Sequence, residues 1–356
     1  MSGHPATMQT VRFVGVGARL AQETLPVPQP EPGWALVRVR AVAICGSDVH
    51  ILEGHTPVGF TPITLGHEIS GDVVELGEGA AGSGVAVGDR VFVNPIIGCG
   101  RCRYCAAGES NFCPDRGLLG IRFDGGMAEY VVAPVRNLTT VPDAISHAEI
   151  AMVESAGTAY HAVRVLDAEP GDAVVVIGAG GLGLQAVRIA TALGLRVVSV
   201  DTNAAARERA LAAGAERAYA PEDLAAHVED GGYVKLAEEM GSPFGFAHAI
   251  DCVGFETTVN LALGLLRPRG SCSVIGIGAS GVRLPDPAIF VRRSLQVRGI
   301  YTYSETDIAR VIELLVAGRL ELADSVSLRL PLEEAERAFA LFTSGEVRPV
   351  RVVLEP

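Results

Sequence analysis

No excess of positive charge marks this chain of 356 residues: 29 lysines and arginines face 41 aspartates and glutamates, for a formal net charge of −12. That balance argues against a nucleic-acid partner and against an acidic membrane surface, both of which reward basic charge. No apolar run reaches the ~18 residues that a membrane span requires. Residues 1–10 lack the charged stretch followed by an apolar core that makes a secretory leader. Low-complexity tracts and internal repeats are absent. Cysteines number seven, and the clustering of four of them suits metal ligation in a reducing compartment better than a disulfide framework. A soluble, cytoplasmic protein is expected.

What is present is apolar bulk and two kinds of metal-ligand pattern. Hydrophobic residues make up 49% of the chain, and its length allows two domains. Cys45-Gly46-Ser47-Asp48-Val49-His50 is followed, after a short connection, by Leu65-Gly66-His67-Glu68. A catalytic zinc takes three protein ligands and keeps one position open. Cys45 and His67 supply a sulfur and a nitrogen, and a third ligand must come from farther along. Asp48 suits the carboxylate that receives the second N–H of a metal-bound imidazole. Ser47 lies two residues from the thiolate, where its hydroxyl could touch whatever fills the open position, and His50 could carry a proton onward.

Cys99, Cys102 and Cys105 form two overlapping Cys-x-x-Cys units, and Cys113 adds a fourth sulfur. Four thiolates leave no open position, so the metal they hold is structural. Iron–sulfur clusters also take four cysteines, but the bacterial ferredoxin run has a three-residue last gap where this chain has seven residues. Zinc is the favoured occupant.

Around these motifs, residues 11–14 and 34–40 alternate apolar and polar as half-buried strands do, and 69–76 and 85–93 continue in that style. The first third therefore reads as a mostly antiparallel β domain. After residue 160 the pattern changes. The apolar run Ala173-Val174-Val175-Val176-Ile177 leads directly into Gly178-Ala179-Gly180-Gly181-Leu182-Gly183, then a helix over 184–193, then a second strand ending at Asp201. Glycines between strand and helix, with an acid eighteen residues after the last glycine, form the dinucleotide fingerprint in its required setting. Gly178, Gly180, Gly181, Leu182 and Gly183 would approach the pyrophosphate. Asp201 would accept from the ribose hydroxyls and repel a 2′-phosphate, which selects NAD. Helices over 206–214 and 257–266 alternate with strands over 246–253, 271–277 and 297–300, as in a doubly wound parallel sheet; from about 303 the chain turns to a helix over 305–317, and a last strand is expected over 347–354.

Gly66-His67-Glu68, the spacing of Cys99, Cys102, Cys105 and Cys113, and Asp124-Gly125-Gly126-Met127-Ala128-Glu129-Tyr130 together resemble the zinc-containing alcohol dehydrogenases of the medium-chain dehydrogenase/reductase superfamily, from end to end. The resemblance implies a GroES-like β domain over 1–156 with a structural zinc lobe at about 95–115, a Rossmann domain over 157–298, and a return to the catalytic domain over 299–356. It implies two zinc ions per chain, NAD, and a homodimer or homotetramer. It also supplies the third catalytic ligand: Glu154-Ser155-Ala156-Gly157-Thr158-Ala159-Tyr160-His161 matches a family stretch in which many members carry Cys at the first position, and polyol-dehydrogenase members carry Glu. Glu68 is implied as a carboxylate beside the metal that can swing onto it. A proton path from the substrate hydroxyl through Ser47, the cofactor ribose and His50 is implied as well.

The activity implied is oxidation of an alcohol or polyol to the ketone, or the reverse, with Glu154 leaning toward secondary alcohols and polyols. A metal-independent quinone or enoyl reductase of the same superfamily, or a non-catalytic NAD-binding protein, are the alternatives. His55, Thr56, Phe60, Asn94, Ile96, Ile121 and Phe123 are expected near the substrate.

Overall fold

A computed structural model of the chain describes residues 4–224, 231–278, 281–284, 286–344 and 351–356. In the β-rich part, the strand Trp34–Ala43 is the hub. Its alternating valines bury against the core while Arg38 and Arg40 face outward. It pairs antiparallel with Glu68–Leu76 and with Tyr130–Pro134. Near its end, Val42 and Ala43 pair with Leu354 and Val353 of the C-terminal strand Val352–Glu355. The tail therefore returns to the first residues of the chain, and Ile44 N–H donates to Val352 O at 2.9 Å. Among the described residues, only Leu328–Pro331 beside Val352–Glu355 is a parallel pair in this sheet. The expected strand over 347–354 appears as Val352–Glu355; residues 345–350 lie outside the described residues.

The second part is a six-stranded parallel sheet. Its order is Arg217–Tyr219, Arg196–Val200, Ala173–Ile177, Phe246–Asp251, Leu266–Val274 and Gln296–Gly299. Ala173–Ile177 is buried throughout, as a strand covered on both faces must be. Strand order reverses beside it, and at such a switch point the carboxyl ends of the strands open a ligand crevice.

Two compact units are found: Met1–Glu154 with Leu322–Pro356, and Ser155–Glu321. The chain thus leaves the Rossmann unit at 321, not at 298 as the family pattern implied, and the helix Glu305–Val316 stays with the parallel sheet. Asp307 explains this. It is fully buried and accepts from His161 Nδ1 at 2.7 Å and Arg164 Nε at 2.6 Å, both on the helix Val153–Arg164. Burial works against its charge, but these two partners and Ser304 prevail and hold its carboxyl below the usual range. Close packing adds to the tie, since a Cβ on Gly157 would sit 2.5 Å from Ile308 Cδ1.

Candidate metal and cofactor sites

The helix Gly46–Leu52 begins at Cys45, whose backbone N–H donates to Asp48 Oδ2 at 2.9 Å. Asp48 is fully buried, and its other oxygen lies 3.4 Å from His67 Nδ1. One carboxylate thereby fixes the loop carrying the thiol and faces the imidazole. Ser47 Oγ is 3.2 Å from His67 Nε2. His67 sits just ahead of the strand Glu68–Leu76, on a turn where Gly66 has φ +90° and a Cβ would meet Val42 Cγ2 at 2.7 Å. Only glycine fits there.

That turn also decides where Glu68 points. Neighbours on a strand point to opposite faces, yet here donor atoms of Cys45, His67 and Glu68 all lie within 4.8 Å of one another, because His67 precedes the strand. Glu154 is not part of this tight group. It is buried at 8% exposure on the first turn of Val153–Arg164, and its charge acts on both Glu68 and Arg351.

Arg351 is the residue that sequence reasoning missed. Its Nη1 donates to Glu68 Oε1 at 2.7 Å, and the two side chains are 4% and 0% exposed. Burial, with the charges of Cys45 and Glu154, pushes the Glu68 carboxyl up, while Arg351 pulls it the other way. At Cys45 burial again opposes the charge, but the His67 hydrogen bond and the Arg351 guanidinium win and lower the thiol to about 5.

His50 is exposed at the far side of its short helix, its ring edge-on to His55 at 6.0 Å between centroids. The expected substrate-lining residues separate. Phe60 and Phe123 line a hollow of about 540 Å³ with Trp34, Met8 and Tyr130; none of Cys45, His67, Glu68 or Glu154 touches it. Asn94 is structural: its Oδ1 accepts from Ile96 N–H, and its carbonyl accepts from Asn137 Nδ2. Ile96 is buried in a two-stranded pairing with Leu118.

That pairing, Ile96–Ile97 with Gly117–Leu118, closes the base of the cysteine lobe. All four sulfurs of Cys99, Cys102, Cys105 and Cys113 lie within 4.8 Å of one another. Cys102 and Cys105 are 3.6 Å apart, close to the ~3.8 Å edge of a tetrahedron with Zn–S bonds of ~2.3 Å. Cys99 is lowered to about 6 by backbone N–H donors at Arg101 and Cys102, whereas burial drives Cys105 up to about 12. The donor set and spacing fit a structural metal.

The cofactor fingerprint takes its expected place. Gly178 has φ +87°, and a Cβ on Gly183 would stand 1.7 Å from Gly178 O, so strand and helix touch there without side chains. The helix Gly181–Ala192 starts at once, capped by Gly180. Asp201 Oδ2 accepts from Ala179 N–H at 2.7 Å and Oδ1 from Asn203 N–H at 2.8 Å, which ties the second strand to the glycine loop. Arg207 donates to the carbonyls of Asp201 and Thr202.

Known proteins resemble the chain along its length. Residues 31–143 match the alcohol dehydrogenase GroES-like domain, and 181–317 match the zinc-binding dehydrogenase family. A protein of Aspergillus fumigatus named as a probable D-xylulose reductase A is 32% identical over 354 residues, 97% of each chain. The chain belongs to the zinc-type alcohol and polyol dehydrogenases of the medium-chain superfamily. A sorbitol dehydrogenase of Halalkalibacterium halodurans is 30% identical over 96% of this chain and 97% of its own. A Sinorhizobium meliloti protein described as a zinc-binding dehydrogenase, solved with NADP, superposes with a TM-score of 0.88 at 31% identity, covering 99% and 100% of the two chains.

The medium-chain dehydrogenase framework makes the buried charge intelligible. Cys45, Asp48, Glu68 and Glu154 bring acidic groups together against the guanidinium of Arg351, and Glu68 Oε2 is buried without a hydrogen-bond partner among the described residues, while Asp48 Oδ1 faces His67 Nδ1 at 3.4 Å. A divalent cation held by thiolate, imidazole and carboxylate fits that excess of negative charge.

Proposed function

We propose that this dehydrogenase interconverts a secondary alcohol or polyol and the corresponding ketone, using NAD and a catalytic zinc, with a second zinc holding the cysteine lobe. The observation that carries the reading is one chain bearing an open thiol–imidazole–carboxylate set, a closed four-cysteine set and a glycine fingerprint ended by Asp201. When bound, zinc supplies the Lewis acidity that lowers the pKa of an alcohol hydroxyl, and NAD supplies the hydride acceptor.

Cys45, His67 and Glu154 would hold the catalytic metal. Glu154 takes the ligand role on the family resemblance, and Glu68, whose Oε1 accepts from Arg351 and whose Oε2 has no hydrogen-bond partner among the described residues, is the adjustable carboxylate beside it. Asp48 orients the His67 ring. Cys99, Cys102, Cys105 and Cys113 would hold the structural ion. Asp201 offers oxygens to the ribose hydroxyls and a charge against a 2′-phosphate. The names of the xylulose reductase and sorbitol dehydrogenase relatives support the polyol side of the family. A spectrophotometric screen of secondary alcohols, polyols and amino alcohols, run with NAD⁺ and NADP⁺, tests the proposal. Turnover with a polyol or secondary alcohol and a preference for NAD⁺ are expected; no turnover across the panel, or equal efficiency with both cofactors, would refute it.

Ser47 Oγ would accept the proton of the alcohol as it gives up its own, and the exposed His50 ring would pass a proton on to solvent, with the ribose of bound NAD lying between the two. Ser47→Ala is therefore expected to cost ~10²–10⁴-fold in kcat, a loss that added buffer should not restore because the proton leaves the alcohol beside the metal. His50→Gln should slow oxidation most near neutral pH, and imidazole buffer should restore the rate. An unchanged pH–rate profile for His50→Gln, where hydride transfer limits the rate, removes His50 from the path.

Assembly as a homodimer or homotetramer in a reducing, cytoplasmic compartment completes the proposal. Gln296–Gly299 is an edge strand among the described residues, and Ile277, Leu284 and Val291 near it are 81%, 51% and 71% exposed. All seven cysteines are free, and no helix among the described residues is long and apolar enough to cross a membrane. A monomeric mass by light scattering at micromolar concentration would contradict the assembly.

A further inference from the structure

We propose that Ser70, His147 and Asp72 form a clasp that sets Glu154 opposite His67 and thereby fixes the affinity of the catalytic metal site. The inference rests on the reading of Glu154 as third ligand.

The helix carrying the clasp starts by a local rule. Ser146 accepts from Glu149 N–H through its hydroxyl, and the Glu149 side chain reaches back to Ser146, so the first helical residue is His147. Ala148, Ile150 and Ala151 are buried. Met152 keeps right-handed helical angles, φ −71° and ψ −11°, and the next helix, Val153–Arg164, begins at once. Glu154 follows His147 by seven residues. The two helices are joined through Met152 alone, so where His147 is held limits where Glu154 can lie.

The facing strand carries the partners. Along Glu68–Leu76, alternate side chains share a face, so Glu68, Ser70 and Asp72 project together. Ser70 Oγ lies 2.7 Å from His147 Nδ1, and His147 Nε2 lies 3.2 Å from Asp72 Oδ1. Asp72 is itself braced by Arg40 Nε at 2.6 Å. Pinning residue 147 to strand residue 70 therefore ties the segment that leads into Glu154 to the strand that carries Glu68. The charge of Glu154 acts on Glu68, two residues before Ser70 on that strand.

The clasp is satisfied by a neutral ring, with Nε2–H donating to Asp72 and Nδ1 accepting the Ser70 hydroxyl. Burial, then the Arg90 guanidinium, favour that neutral form against the pull of Asp72. Ser70 is fully buried, so it has no access to a substrate and acts as a positioning residue. Deleting it leaves a helix free to slide on the strand by the fraction of an ångström that a metal ligand does not tolerate.

The test uses the full-length holoprotein and reads metal rather than activity. Ser70→Ala, His147→Phe and Glu154→Ala are purified with zinc and challenged with a chelator, and zinc per chain is followed with time; cobalt substitution gives the ligand-field spectrum of the catalytic site. The lobe zinc, held by four cysteines remote in sequence from the clasp, reports that the domain is folded. We expect Ser70→Ala and His147→Phe to release the catalytic metal ~10–100-fold faster than the parent chain, to keep the lobe metal, and to shift the cobalt spectrum. Should His147→Phe fold poorly, Ser70→Ala, which removes a single oxygen, carries the test alone. If both variants hold the metal as the parent does while Glu154→Ala loses it, the clasp is wrong and Glu154 remains a ligand. If Glu154→Ala also holds it, the ligand reading fails and the clasp fails with it.

Discussion

Cys45→Ser is expected to lower alcohol oxidation by ~10³-fold or more while leaving the secondary structure and the lobe intact. The thiol sits at the head of a short helix, in the loop fixed by Asp48 and beside the buried Glu68–Arg351 pair. Serine keeps the shape of the loop but offers no thiolate at neutral pH, where the cysteine, lowered to about 5, is ionised. Removing a ligand forfeits metal-derived stabilisation of several kcal/mol, and ~1.4 kcal/mol corresponds to tenfold in rate. Circular dichroism and cofactor binding should match the parent. Retained turnover in Cys45→Ser would show that this cysteine does not hold the catalytic metal.

Cys102→Ser is expected to act on stability instead. The lobe has little secondary structure of its own: a four-residue helix, Arg103–Ala106, a single 3₁₀ turn, Ser110–Phe112, and the pairing at its base. With so little of its own structure to carry it, its order depends on four sulfurs closing on one ion, and such sites release ~10–16 kcal/mol in small peptides. Whole domains are stable by only ~5–15 kcal/mol. Loss of one thiolate should lower the melting temperature by ~10 °C or more, with the lobe becoming susceptible to protease between residues 99 and 113. A melting curve superimposable on the parent's would contradict a structural metal there.

Much of this was legible from sequence because the decisive signals are local. The four lobe cysteines lie within fifteen residues, and the glycine fingerprint, its preceding strand and Asp201 lie within thirty, so spacing alone conveyed their chemistry. Parts assembled across long separations were not legible. Arg351 reaches Glu68 across 283 positions because Val352–Glu355 pairs with the end of Trp34–Ala43. An arginine directly ahead of the apolar run Val352-Val353-Leu354 was the only hint of it. Asn94 and Ile96 suggested a substrate wall by proximity to the lobe, but backbone groups needing partners claimed the first and the lobe's base the second. The helix Glu305–Val316 was assigned to the wrong unit because its periodicity shows an apolar face without saying which sheet covers it. Ser146-x-x-Glu149 was readable as a capping box, and its consequence, a helix beginning at His147, needed the strand bearing Ser70 before it meant anything.

Elemental analysis of zinc per chain, in wild-type protein and Cys45→Ser purified without chelator, tests most directly the claim that one chain carries a catalytic and a structural metal. Two zinc ions in the wild type and one in Cys45→Ser is the expected result. One or none in the wild type, or two retained in the variant, would contradict it.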